Sequence, residues 1–89
     1  MIDVKQAAQS ASNFIAGLYS NETISDVRLE EVELSEDGKH WLITLSFPLP
    51  ASLGVMYLGG ARQYKLFKVD ANTGEVLSMK IRDVSHAIS

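Results

Sequence analysis

His40 and His86 are the chain's only histidines, the residue type most often used as general base or metal ligand. His40 stands beside an Asp-Gly turn and His86 in a short tail, so neither sits in a pattern that metal binding or proton transfer needs. Carboxylates are more abundant. Glu22, Asp26, Glu30, Glu31, Glu33, Glu36 and Asp37 crowd the first hairpin and its approach. A solvated acidic face explains them more simply than a catalytic pair or a calcium loop, because the EF-hand spacing is missing. The serines have no neighbouring His-and-acid arrangement, and no Gly-rich phosphate loop precedes a helix. The chain has no cysteine, which removes disulfides and thiolate metal sites. The expectation is a protein with no catalytic residues, no metal and no cofactor.

The elements that would position a surface of another kind follow from length and pattern. With 89 residues, 46% hydrophobic and 21% charged, the chain makes one domain around one modest core. The formal net charge of −3 argues against a nucleic-acid partner. No apolar run approaches the roughly 18 residues of a membrane span. The N-terminus, Met1-Ile2-Asp3-Val4-Lys5, lacks a basic region followed by an apolar run, so no signal peptide is visible. The expected location is cytoplasmic, or extracytoplasmic if a leader has been removed.

Asp3 and Gln6 form a capping-box pair. Val4, Ala8, Ala11, Ile15 and Leu18 recur at helical spacing, broadened by Ala7, Phe14 and Tyr19. This predicts an amphipathic helix over about 4–20 whose alanine half lies flat on a sheet. Gly17 is expected to mark close approach to a strand, and Ser20-Asn21 to end the helix.

Val27 and Leu29 alternate, and Val32 and Leu34 alternate in the opposite phase. One inserted residue at Glu30-Glu31 restores a single apolar face, which predicts a β-bulge. Asp37-Gly38 is a hairpin turn signal. Trp41, Ile43, Leu45 and Phe47 then alternate toward a core, and Pro48-Leu49-Pro50 ends that strand. A second hairpin runs through Tyr64–Ile81, with Asp70-Ala71-Asn72-Thr73-Gly74 as its turn: Asp70 accepts backbone N–H groups and Gly74 takes positive φ. The phase of its first strand is ambiguous between Tyr64/Leu66 and Phe67/Val69. In its second strand Leu77, Met79 and Ile81 predict the buried face. Residues 83–89 are expected to fray. Strands are thus expected over about 26–34, 40–47, 62–69 and 76–83. The fold class is α+β: one N-terminal helix on a four-stranded antiparallel meander, in the order α-β-β-β-β. Trp41 is expected to be largely buried.

An alanine-rich N-terminal helix, a strand leading to Asp37-Gly38-Lys39-His40-Trp41, and the closing hairpin around Val69-Asp70-x-x-Thr73-Gly74-x-Val76 together resemble the PepSY domain. The resemblance spans about residues 4–82. It implies a cystatin-like helix-on-sheet fold and a non-catalytic module that binds or inhibits, often linked to peptidases. Many such domains are exported or sit beside a membrane segment, and neither feature shows here. The Gln-x-Val-x-Gly loop of cystatins proper is not matched by Leu53-Gly54-Val55-Met56-Tyr57, so papain-type inhibition does not carry over.

Two surface features remain. Residues 51–60 are apolar and glycine-rich, and long for a hairpin connector. They could fold back over the sheet, extend the two middle strands, or face another chain. Leu53, Val55, Met56, Tyr57 and Leu58 are the candidate partner-binding residues, because exposed apolar patches mark interaction sites and aromatic residues and Met are enriched there. Charge is also polarised. The first hairpin is acidic, and Arg62, Lys65, Lys68, Lys80 and Arg82 make the second basic. In a meander these lie toward opposite sheet edges. The simpler reading is a solvated mixed surface, and the functional one is pairing of acidic with basic edges. Two functions follow: a protein-binding module, inhibitory or regulatory toward a peptidase or other partner, or a structural protein that self-associates as a homodimer through residues 51–60.

Overall fold

The computed structural model describes residues 1–19, 24, 26–48 and 62–82. Helix α1 spans Val4–Leu18, and four strands follow: β1 Arg28–Leu34, β2 His40–Pro48, β3 Arg62–Asp70 and β4 Val76–Ile81. The strands form one antiparallel sheet in the order β1-β2-β3-β4, which is the α-β-β-β-β layout.

The helix starts where its cap says it should. Asp3 Oδ1 accepts from the Gln6 N–H at 2.8 Å, and Gln6 Oε1 accepts from the Asp3 N–H at 2.9 Å. Two of the four orphan donors at the helix start are thereby addressed. Ala7, Ala11 and Ile15 are buried, so the alanine half does lie flat on the sheet. Gly17 faces open space with no atom near the position of a side chain, contrary to the expected close approach. Ser20 and Asn21 lie outside the described residues, as does the tail from 83 onward.

The core is Ile43, Leu45 and Phe47 of β2 and Phe67 and Val69 of β3, against Ala7, Ala11 and Ile15. Phe67 and Val69 therefore settle the phase of β3. Phe14 meets Phe67 edge-on with ring centroids 6.3 Å apart, and Tyr19 meets Phe47 at 6.2 Å. Such edge-to-face pairs suit the ring quadrupoles.

Trp41 packs against the core with most of its surface covered, and its indole Nε1 donates to the Ile2 carbonyl at 3.1 Å. Its ring packs at the rim of the core while its polar edge ties down the N-terminus. One expectation about burial needs correcting. In β4 the predicted face fails at two of three positions: Leu77 is 47% exposed and Ile81 76%. The cause at Leu77 is a register shift. Val69 pairs with Val76 but Lys68 pairs with Ser78, so Leu77 is an extra residue. Val76 and Met79 pack on the core in its place. Ile81 keeps the predicted parity but pairs with Lys65, away from the core cluster.

The turns behave as expected. Gly38 and Gly74 take φ of 71° and 80°. The Asp70 carboxylate accepts from the N–H groups of Asn72 at 2.7 Å and Thr73 at 2.9 Å.

Candidate protein-interaction surface

The features of one strand, β1, follow from its sequence. Leu29 pairs with Leu45, Glu31 with Thr44 and Val32 with Ile43, so Glu30 is the extra residue of a bulge. The bulge is the one expected. It brings Leu29, Val32 and Leu34 into one row on the side of the sheet that carries Ile43, Leu45 and Trp41. That is the helix side, yet every residue of β1 is exposed. Leu29, Val32 and Leu34 are 52%, 39% and 38% accessible.

The reason is one of dimensions. Four strands at about 4.8 Å spacing are roughly twice as wide as the ~10 Å diameter of a helix. One helix cannot cover them all. Helix α1 packs on β2, β3 and β4, and the apolar side of β1 lies beyond its margin. Between them runs a groove of about 230 Å³, with Val27, Leu29 and Leu45 as floor and Lys5, Ala8, Gln9 and Ser12 as the helix wall. β1 is also an edge strand, with no neighbour on its outer side among the described residues.

The opposite sheet face is polar but not bare. Ser46 and Thr44 are buried there, at 0% and 3% exposure, because long charged side chains lie over them. The Ser46 hydroxyl donates to Glu30 Oε2 at 2.6 Å and accepts from Arg62 Nε at 3.0 Å. Arg62 also donates through Nη2 to the Ser46 carbonyl at 2.9 Å and through Nη1 to Asp26 Oδ2 at 2.8 Å. Its side chain is only 15% exposed. Asp26 sits at φ 54°, in the left-handed region that Asp tolerates better than most residues. The Arg62 guanidinium first, and Arg28 second, hold the Asp26 carboxyl below the usual carboxylate range. Arg82 reaches across the sheet from the end of β4 to Glu31 Oε1 at 2.6 Å.

Beside that pair, Glu30, Glu31, Thr44, Tyr64 and Arg82 line a cleft of about 180 Å³. It is smaller than the ~300 Å³ at which small-molecule sites begin. Its acid and base neutralise each other, with Glu31 Oε1 and Arg82 Nη1 2.6 Å apart. The clasp across Ser46 ties Glu30 of β1 and Arg62 of β3 to the middle strand β2. The signal for it in the sequence was the polar Thr44/Ser46 side of β2, but nothing in the chain says which distant arginine covers a serine.

The sequence-based candidates Leu53, Val55, Met56, Tyr57 and Leu58 lie outside the described residues, as does His86. His40 lies in a shallow depression with Ser35, Glu36, Asp37, Leu42 and Lys68. The expected charge polarity is present in part: Glu30, Glu31 and Glu33 lie on the β1 edge and Lys80, with Arg82 just beyond β4, at the other edge, while Arg62, Lys65 and Lys68 lie on the interior strand β3. Among the described residues no helix is long and apolar enough to cross a membrane. Comparison of the chain with protein-family models, curated proteins and solved structures finds no match in any of the three.

Proposed function

We propose that this chain is a small non-catalytic protein-binding module with an inhibitory or regulatory action, and that it binds through β1 and the groove beside it. One observation carries the reading. The three apolar residues of β1 point to the helix side of the sheet, beyond the margin of α1, and are exposed. Contiguous exposed apolar surface on a small domain is the usual mark of an interaction site. Among the described residues the edge has no neighbour, so it adds outward backbone N–H and C=O groups that an incoming strand can satisfy by β-augmentation. The resemblance of the closing hairpin to PepSY domains supports a binding role over a catalytic one.

The experiment is site-specific photo-crosslinking in the cells that make the protein, with a benzophenone side chain at Leu29 and, as control, at Asn13 on the exposed helix surface. The reading expects a discrete covalent adduct from position 29 and none from position 13. No adduct from position 29, or equal labelling from both, contradicts it.

A further inference from the structure

We infer that the occupant of the β1 edge is a second copy of this chain, presenting its β4 edge, so that the sheet of one copy continues into the next. The inference rests on the reading of β1 as a docking edge and names what docks there.

The first support is topology. Neighbouring strands are antiparallel throughout β1-β2-β3-β4, so β1 and β4 of one chain run in opposite directions. A neighbour related by stepping along the sheet sets its β4 antiparallel beside β1, and the same pattern continues.

The second is the phase of the backbone. In an antiparallel ladder, residues alternate between pairs that exchange hydrogen bonds and pairs that do not, and members of the latter turn their N–H and C=O groups outward. The Ser35 N–H donates to the His40 carbonyl. Counting back along the register, Glu33 and Glu31 bond inward to β2, while Val32 and Leu34 face outward. On the other edge, the Arg82 N–H donates to the Tyr64 carbonyl. Lys80 therefore bonds inward, and Ile81 and Met79 face outward. Setting Val32 against Ile81 and Leu34 against Met79 joins outward groups to outward groups.

The third is that this register matches side chains on both faces at once. On the helix side it lays Val32 beside Ile81 and Leu34 beside Met79, and so covers apolar groups at both edges. On the other side it sets Glu31 opposite Arg82 and Glu33 opposite Lys80. These fall in the non-hydrogen-bonded pairs, where side chains come closest. Among the described residues Glu33 and Lys80 have no ion-pair partner. The exposed Glu31–Arg82 pair within one chain is the weakly held kind, so exchange with a neighbour costs little. The two bulges, at Glu30 and Leu77, fall just outside the matched segments 31–34 and 79–82.

Two-fold alternatives are disfavoured by the same charges. β1 against β1, centred on Val32 or Glu33, puts glutamate opposite glutamate. β4 against β4, centred on Lys80 or Ile81, puts cation opposite cation. The favoured contact is heterologous, so it builds open chains or rings, not closed two-fold dimers.

The test is sedimentation of the full chain at rising concentration and low salt, with charge-reversed variants. The wild type should at least double its weight-average mass, and added salt should reverse this. E31K/E33K and K80E/R82E should each fold by circular dichroism and stay monomeric. An equimolar mixture should associate again, because each variant then meets its complement. Either variant could fold poorly through loss of the internal Glu31–Arg82 pair, so Val32→Pro is the second probe. It removes only an outward N–H and should fold yet remain monomeric, whereas Glu33→Pro removes an inward bond and should melt lower. A wild type that stays monomeric throughout, or a mixture of folded variants that stays monomeric, overturns the inference. The crosslinker at Leu29 separates the two failures. An adduct with a different protein overturns the second-copy partner but keeps the binding reading, and no adduct removes both.

Discussion

Arg62 shows how single residues decide which loops are held. It joins the segment just before β1 to the C-terminal half of β2, through Asp26 and Ser46. Replacing it with Met keeps its apolar stem but removes the side-chain donor to the Ser46 carbonyl and leaves the Asp26 carboxylate with Arg28 alone. We expect a loss of roughly 1–3 kcal/mol in urea unfolding, with the fold retained. Acid should act on the same groups. Asp26, Asp37 and Asp70 all titrate below the ordinary carboxylate value: Asp26 through Arg62, Asp37 through the Ser35 hydroxyl, and Asp70 through the Thr73 N–H. A carboxyl whose pKa is lower folded than unfolded binds fewer protons in the native state. Its contribution is complete above the unfolded value of about 3.9 and fades as pH falls through the folded one. Melting temperature should therefore hold between pH 5 and 7 and drop below about pH 4, with a shallower drop in Asp70→Asn. A melting curve flat down to pH 2 would contradict these assignments. At this scale the caps and turn acids were legible, because Asp3, Asp37 and Asp70 act on backbone within a few residues. The Arg62 clasp was not, because its partners lie 16 and 36 positions away.

Among the elements, β1 and β4 make an instructive pair, since each carries one extra residue. The bulge at Glu30 was readable because the apolar alternation changes phase within the strand itself. The bulge at Leu77 was not, because Leu77, Met79 and Ile81 alternate without a break. It arises from the partner: the Asp70 N–H closes onto the Glu75 carbonyl, which forces Val69 against Val76, while Phe67 still pairs with Met79. A strand's own pattern cannot report a register imposed by its turn. That turn needs Gly74. Its φ is 80°, and a Cβ there would meet Ser10 Oγ at 3.3 Å and Ile2 Cδ1 at 3.5 Å. Gly74→Val should cost at least about 1–2 kcal/mol, since a β-branched residue resists that region and the Ser10 side chain must also give way. Thermal melting of the variant within a degree of wild type would show that the turn is looser than described.

At the scale of the molecule, one helix covers three strands and leaves the fourth. The core pattern of β2 and the alanine stripe made the covered part legible, since both follow from simple periodicity. Phe67→Ala should cost about 3–5 kcal/mol, a large share of a small domain's stability, and calorimetry would measure it. Trp41→Ala should cost less than Phe67→Ala, because Phe67 is fully buried and the indole keeps part of its surface exposed; an equal or larger loss would contradict that ranking. The uncovered margin was not legible, because which strands a helix spans depends on the path of the connecting segments and not on either pattern alone. That margin is where the proposed binding lies. Its most direct test is amide hydrogen exchange, residue by residue, at low and high protein concentration. The account predicts that Val32 and Leu34, whose N–H groups point away from β2, exchange fast in dilute solution and slow markedly as concentration rises. Met79 and Ile81 should follow them, while Glu33, bonded inward, stays protected throughout. Val32 and Leu34 amides that exchange at one rate at every concentration, or that are already protected in the dilute monomer, would contradict it.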